Sequence, residues 1–226
     1  MNQLERRHLI YGIKRSLPIV MGYIPIGFAL GVMAADIGLK TVETGLMSFF
    51  VYAGSAQFIA VNLLGMGISP LPIIATTLFV NLRHVLFSAS LSPYFKEINQ
   101  KLISFISFYI TDESFAVSIT DVKEKNLAYT YFIGLYVTSY LSWILSTMIG
   151  SAFCALIPDT KALGFDFALP GMFLALLCMQ LKDWKTIAVA LIAGALSILF
   201  VFAIPGNWNV ILAAVIAAVL GVLLDK

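Results

Sequence analysis

Apolar stretches long enough to cross a lipid bilayer follow one another along almost the whole of this chain. A transmembrane helix needs about 20 apolar residues. Hydrophobic residues make up 60% of the 226 residues and charged residues only 12%, whereas about a quarter of a soluble domain is charged. The chain is therefore predicted to be an all-α, polytopic transmembrane helix bundle. Its apolar stretches are residues 16–35, 42–64, 70–91, 102–119, 127–157, 165–181, 186–204 and 207–224.

The connections between these stretches are short, so residues 1–226 are predicted to form a single transmembrane domain. Residues 1–15 are polar and carry Arg6, Arg7, Lys14 and Arg15. Because Lys and Arg concentrate on the cytoplasmic side of membrane proteins, this segment and the N-terminus are expected in the cytoplasm. The net charge of +2 is too small to indicate a nucleic-acid partner.

The number of crossings stays open between seven and eight. If all eight stretches cross, Lys96 and Lys101 would lie outside the cell, against the usual charge bias. A re-entrant segment at 42–64 or 70–91 would remove this conflict and leave seven crossings. Two lysines are weak support for that alternative, so eight crossings are the preferred prediction.

Four ionisable residues lie inside apolar stretches, namely Arg83, His84, Asp112 and Glu113. A charge near the bilayer centre costs about 2.5–3.5 kcal/mol on insertion scales, and such residues pair with one another or line ion and substrate paths. Arg83 and Asp112 lie at similar depths, so Arg83 is predicted to pair with Asp112 or Glu113. The other acid would then be free to exchange a proton at the midplane, as a proton-coupled transporter requires.

Polar side chains recur at helical spacing in the same two stretches. Such stripes face protein or water rather than lipid. The first stripe is Thr77, Asn81, His84 and Ser88, and the second is Ser104, Ser107, Thr111, Ser114 and Ser118.

Three segments are predicted to interrupt their helices. Pro25 lies between two glycines in the first stretch, and Gly54 and Ser55 lie in the middle of the second, where Ser55 could cap a half-helix. The third break is predicted at residues 111–114, because Thr, Asp and Ser favour helix starts. Broken helices in transporters direct N-termini at anionic groups and free carbonyls at cations, and an amino acid carries both groups.

Four segments resemble the signature segments of the AzlC family, the large subunits of bacterial branched-chain amino acid exporters. They are residues 22–28 (GYIPIGF), 53–58 (AGSAQF), 81–84 (NLRH) and 111–115 (TDESF). The resemblance implies export of leucine, isoleucine and valine, with methionine or toxic analogues as further candidates. It also implies a small AzlD-type membrane subunit, energy from the proton gradient and a place in the bacterial inner membrane.

The resemblance further implies which residues form the site. The substrate-binding candidates are Gly27, Gly54, Ser55, Gln57 and Asn81. The candidates for proton coupling and the charge pair are Arg83, His84, Asp112 and Glu113. An apolar pocket is expected from Phe28, Phe58 and Phe115. No metal or other cofactor is expected.

Two other classes of function remain as alternatives. A passive channel for a small polar solute would also need polar residues in the membrane. An intramembrane enzyme could use His84 with Asp112 or Glu113 as acid and base. The sequence contains neither H-E-x-x-H nor G-x-S-x-G, so the known motifs for such chemistry are missing.

Overall fold

The protein is all-helical in the parts of the chain that the computed structural model describes. These are residues 2–95, 98–124, 127–156, 184–203 and 208–224, with isolated positions between 164 and 183. The α-helices are α1 (Gln3–Asp36), α2 (Thr41–Phe50), α3 (Gly54–Gly65), α4 (Pro70–Asn81), α5 (Arg83–Leu91), α6 (Gln100–Ser107), α7 (Asp112–Glu124), α8 (Tyr129–Phe153), α9 (Trp184–Ala203) and α10 (Trp208–Leu224). Short 3-10 turns follow α5 (Ser92–Phe95) and α8 (Cys154–Leu156).

Two compact units divide the chain, Met1–Leu169 and Pro170–Lys226. Within the described residues, four segments are long and apolar enough to cross a membrane: Gln3–Asp36, Pro70–Phe95, Tyr129–Leu156 and Trp184–Phe202. The predicted helical class is therefore confirmed, but eight spans are not. The predicted span 165–181 lies mostly outside the described residues.

Helix α1 is longer than predicted and is not interrupted. It begins at a capping box in which the Glu5 amide donates to Asn2 Oδ1 (2.8 Å) and the Asn2 amide donates to Glu5 (2.7 Å). Pro18 and Pro25 both lie inside the continuous helix. The predicted break at Pro25 is therefore wrong. Proline removes one backbone hydrogen bond, and packing along α8 holds the rest of the helix together.

Helices α1 and α8 pack closely and run parallel. A Cβ atom at Gly12 would lie 2.1 Å from the Tyr131 carbonyl oxygen, and one at Gly31 would lie 2.1 Å from that of Thr147. The contacting residues therefore advance together along both chains. Glycine at these positions lets the two backbones approach, as is common between membrane helices.

Helices α2 and α3 form a hairpin. It enters the bundle at one end, turns back halfway, and leaves at the same end. At its start, the Ser151 hydroxyl donates to Thr41 Oγ1 (3.2 Å) near the C-terminal end of α8. At its end, a Cβ at Gly65 would lie 2.8 Å from Cγ2 of Ile37, just beyond the C-terminus of α1. Both arms thus end beside the C-terminal ends of α1 and α8.

Helices α6 and α7 form a second hairpin, which enters from the opposite end. Before α6, the Phe95 ring lies 4.8 Å from that of Phe132, near the start of α8, and the Ile98 amide donates to the Phe95 carbonyl (2.9 Å). Near the end of α7, Asp121 forms an ion pair with Arg15 (2.8 Å). This hairpin therefore begins and ends beside the N-terminal halves of α1 and α8.

The turns of the two hairpins meet near Tyr140, in the middle of α8. The Tyr140 hydroxyl donates to the Phe49 carbonyl at the first turn (2.7 Å). Its ring lies 5.0 Å from Tyr52 of the first turn and 4.9 Å from Tyr109 of the second. The two interrupted segments therefore come together halfway along the bundle.

This arrangement corrects the preferred topology. The stretches 42–64 and 102–119 do not cross the bundle, because each turns back at its break. Among the described residues between the parallel α1 and α8, only α4 and α5 run the full length in the opposite direction. Lys101 consequently lies at the same end as the N-terminus, which removes the charge conflict; Lys96 lies outside the described residues.

In the second unit, α9 begins at a reciprocal pair of hydrogen bonds between Asp183 and Thr186. The Thr186 amide donates to Asp183 Oδ1 (2.7 Å), and its hydrogen bonds lower the pKa of this exposed carboxylate. Helix α10 packs back along α9, since a Cβ at Gly221 would lie 3.5 Å from Val189. Residues 204–207, between these two helices, lie outside the described residues.

Candidate functional site

The predicted break at residues 111–114 is confirmed, since α6 ends at Ser107 and α7 begins at Asp112. Thr111 caps the new helix: its amide donates to Ser114 Oγ (2.8 Å), and the Ser114 amide donates to Thr111 Oγ1 (3.3 Å). The break also divides the predicted polar stripe 104–118, so it is not one continuous face. Ser104 is exposed, whereas Ser114 and Ser118 are buried against α1 and α8.

The break in the second stretch is also confirmed, between Phe50 and Gly54. Its details differ from the prediction, because Ala53 is the N-cap of α3 and makes no side-chain cap. Ser55 lies two positions past this N-cap, inside the helix, so it does not cap α3. Its hydroxyl accepts a hydrogen bond from Arg83 instead.

Arg83 and Asp112 form the predicted ion pair. Arg83 Nη2 lies 2.9 Å from Asp112 Oδ2, and the side chains are 24% and 20% exposed. Because Arg83 also donates to Ser55, its guanidinium links the first turns of α3 and α7. Removing one partner of a buried pair costs about 3–5 kcal/mol, since a charge is left uncompensated.

Glu113 is held by a hydroxyl rather than by a cation. The Tyr23 hydroxyl donates to Glu113 Oε2 (2.7 Å) and also contacts Thr111 Oγ1 (2.8 Å). Tyr23 is only 5% exposed and lies near the middle of the apolar part of α1. The two adjacent acids therefore have different partners, a guanidinium for Asp112 and a tyrosine for Glu113.

Gln57 is fully buried, and both ends of its side-chain amide are hydrogen-bonded. Its amide nitrogen donates to Ser48 Oγ (3.0 Å), and its carbonyl oxygen accepts from Trp143 Nε1 (2.8 Å). Ser48 in turn contacts Thr147 Oγ1 (2.9 Å). The side-chain amide of Gln57 thus connects both helices of the first hairpin to α8.

The other candidate residues surround this centre. A Cβ at Gly27 would lie 2.0 Å from Ser146 Oγ, and one at Gly54 would lie 3.0 Å from the Trp143 ring, so both glycines lie at close helix contacts. His84 Nδ1 lies 3.0 Å from the Asn81 carbonyl. Asn81 Oδ1 is buried and has no partner among the described residues.

The sequence patterns assign no role to three residues that the structure places in the centre or in a buried ion pair. Tyr23 and Tyr52 flank the meeting point of the hairpins. Asp121 is 3% exposed and forms a bidentate pair with Arg15 (2.8 Å for both contacts), while Tyr131 also donates to it (2.6 Å). Extending the stripe of 111, 114 and 118 by three residues would have found Asp121.

Comparison with known proteins places this architecture in context. Residues 18–157, which include both hairpins, match the family model described as AzlC protein. The inner membrane protein YgaZ of Escherichia coli (strain K12) is 32% identical over 202 residues, covering 86% of this chain and 82% of the relative. An uncharacterized membrane protein of Archaeoglobus fulgidus is 32% identical over 197 residues, covering 86% of this chain and 84% of the relative.

A third relative has a functional name. The branched-chain amino acid transport protein AzlC of Bacillus subtilis (strain 168) is 28% identical over 227 residues, covering 97% of this chain and 87% of the relative. No solved structure matches the chain.

Proposed function

This chain belongs to the AzlC family, and on that premise we propose that it is a secondary transporter that exports branched-chain amino acids. The observation that carries the proposal is the meeting of two oppositely inserted hairpins at a charged centre. Such a centre can be reached from either side of the membrane when one hairpin or the other moves. Transporter binding sites are commonly built from interrupted helices near the midplane.

The substrate class comes from the relatives. The name of the Bacillus subtilis relative supports leucine, isoleucine and valine as substrates, and methionine or analogues are further candidates. The name of the Escherichia coli relative supports the bacterial inner membrane as the location. Lys101 shares the end of the bundle that carries Arg6, Arg7 and Lys14, so the charge bias favours a cytoplasmic N-terminus.

We infer that coupling to protons depends on Glu113 rather than Asp112. Asp112 is committed to Arg83, whereas Glu113 faces Tyr23 from α1 and has Tyr52 and Asp112 as further titratable neighbours. A tyrosine hydroxyl can donate to a carboxylate and accept from a protonated carboxyl group. Both protonation states of Glu113 therefore find a partner, while Arg83 balances the charge of Asp112.

Residues 1–226 would form one transport domain beside a small AzlD-type subunit in the bilayer. A passive channel is the second candidate, since the described polar residues would also line a pore. The two functions differ in counterflow: a transporter exchanges labelled for unlabelled substrate against its gradient, and a channel does not. An intramembrane enzyme has less support, because Asp112 is paired with Arg83 and Glu113 accepts a hydrogen bond from Tyr23.

Efflux from preloaded bacteria tests the proposal. Cells expressing this chain with its small subunit would be loaded with labelled leucine, and efflux would be followed with and without an uncoupler. We expect saturable, uncoupler-sensitive efflux that Glu113→Gln abolishes. Efflux that is linear with concentration and insensitive to the uncoupler would favour the channel.

A further inference from the structure

Two hydrogen-bond donors near the start of α3 have no acceptor. Arg83 Nε and the Tyr52 hydroxyl are buried and lack partners among the described residues. Tyr52 is only 5% exposed and lies in the turn just before α3, with its ring 6.4 Å from that of Tyr23. Buried polar groups are almost always paired, so these atoms indicate a missing partner.

The start of α7 shows what is lacking at the start of α3. Helix α7 begins with Asp112 and Glu113, and Thr111 and Ser114 cap its first amides. Its partially positive N-terminus is therefore neutralised by its own residues. Helix α3 has no acidic residue in its first turn and no side-chain cap.

The charge of Arg83 adds to this imbalance. Its guanidinium contacts Ser55 in the first turn of α3, where a cation is unfavourable because the helix end is itself positive. Asp112 compensates one edge of the guanidinium. The Nε edge remains without an acceptor, although a guanidinium offers five donors.

We propose that the first turn of α3, Arg83 Nε and the Tyr52 hydroxyl together bind the α-carboxylate of the transported amino acid. The inference deepens the proposed function and rests on it. A carboxylate supplies two acceptor oxygens and a negative charge, which are what this group of donors lacks. Asp112 holds the guanidinium in place, so Arg83 meets the ligand with its orientation already set.

Asn81 lies outside this carboxylate subsite. Asn81 is the last residue of α4, whereas Arg83 is the first residue of α5. Its unpartnered oxygen is an acceptor and does not suit an anion.

Ligand analogues that differ only at the carboxyl group test the proposal. The purified full-length chain in lipid nanodiscs would be titrated with labelled leucine, in competition with unlabelled leucine and with leucinamide, in which a neutral amide replaces the carboxylate. The measured quantity is the ratio of their affinities. We expect leucine to be preferred, and Tyr52→Phe and Arg83→Lys each to reduce that ratio about tenfold, as for loss of one charge-assisted hydrogen bond.

Tyr136→Phe is the matched control, because the Tyr136 hydroxyl contacts Ser118 (2.9 Å) and does not belong to this group of donors. This variant should leave the ratio within about twofold of the unmodified chain, since no ligand contact is lost. Leucinamide binding as tightly as leucine, or a ratio unchanged in Tyr52→Phe, would overturn the proposal.

A screen of the twenty amino acids separates the two levels of inference. If another amino acid binds and leucine does not, the same comparison is made with that amino acid and its amide. A reduced ratio in Tyr52→Phe would then support the carboxylate subsite and refute the branched-chain preference. Binding of none of the twenty would overturn both.

Discussion

At the scale of single residues, two neighbouring acids divide the work of the centre. Asp112 faces a fixed positive charge and holds Arg83 between the two hairpins. Glu113 faces a neutral hydroxyl from α1. A neutral partner permits protonation and deprotonation without leaving a buried charge alone, whereas protonating Asp112 would strand the guanidinium.

This difference predicts that replacing Tyr23 changes coupling. Tyr23→Phe removes the hydrogen bond to Glu113, so efflux should respond differently to external pH while substrate affinity changes little. Glu113→Gln should abolish the pH response. Tyr136→Phe is the control. Tyr136 of α8 contacts Ser118 (2.9 Å), which lies on α7 as Glu113 does, so this variant also removes one tyrosine hydroxyl contact to α7. Efflux profiles against pH check the prediction, and identical profiles for Tyr23→Phe and the unmodified chain would contradict it.

The Arg83–Asp112 pair predicts a non-additive loss of stability. Arg83→Gln or Asp112→Asn alone should each destabilise the folded chain by at most about 3 kcal/mol, because a partly buried charge is left unpaired. The double variant should lose less than the sum of the two. Unfolding of the purified variants in detergent measures the three free energies. Strict additivity would mean that the two side chains do not interact in the folded protein.

At the scale of helices, the sequence predicts where both hairpins turn. It leaves the reversal of 42–64 as an open alternative and does not predict the reversal of 102–119. Gly54 and the Thr111–Ser114 cap mark the two breaks, since glycine loosens a helix and Thr and Ser begin one. A broken apolar stretch has the same composition whether the chain continues across the membrane or reverses. Its direction depends on distant contacts, such as Gly65 with Ile37, that no local pattern encodes.

Glycines decide how closely α1 and α8 pack, and two of them in α1 form a matched test. A Cβ at Gly31 would lie 2.1 Å from the Thr147 carbonyl, whereas one at Gly22 meets nothing within 4 Å. Gly31→Ala should destabilise the chain by about 1–3 kcal/mol through overpacking. Gly22→Ala should be neutral or stabilise it by up to about 1 kcal/mol, because alanine favours helix. Thermal unfolding of both variants checks this, and equal effects would refute the close packing.

At the scale of the whole first unit, the same pattern occurs twice in opposite directions. Helix α1 is followed by the α2–α3 hairpin, and the α4–α5 span is followed by the α6–α7 hairpin. The first hairpin opens to the C-terminal end of α1 and the second to its N-terminal end. An inverted arrangement of this kind gives each side of the membrane its own route to one central site.

The reversal of the hairpins makes a sharp prediction about topology. In a variant whose native cysteines are replaced by serine, Met66→Cys should be labelled from the side opposite the N-terminus and Gln100→Cys from the same side. If all eight stretches crossed, Met66→Cys would be labelled from the N-terminal side and Gln100→Cys from the opposite side, because each hairpin would then cross the membrane once. An impermeant thiol reagent applied to right-side-out and inverted vesicles distinguishes the two, with Gln3→Cys as the reference for the N-terminal side. Met66 is 75% exposed and Gln100 begins α6 at the surface, so both thiols would be accessible. Labelling of Met66→Cys from the N-terminal side would exclude the first hairpin. Labelling of Gln100→Cys from the opposite side would contradict the course of α4 and α5 back toward the N-terminal end of the bundle.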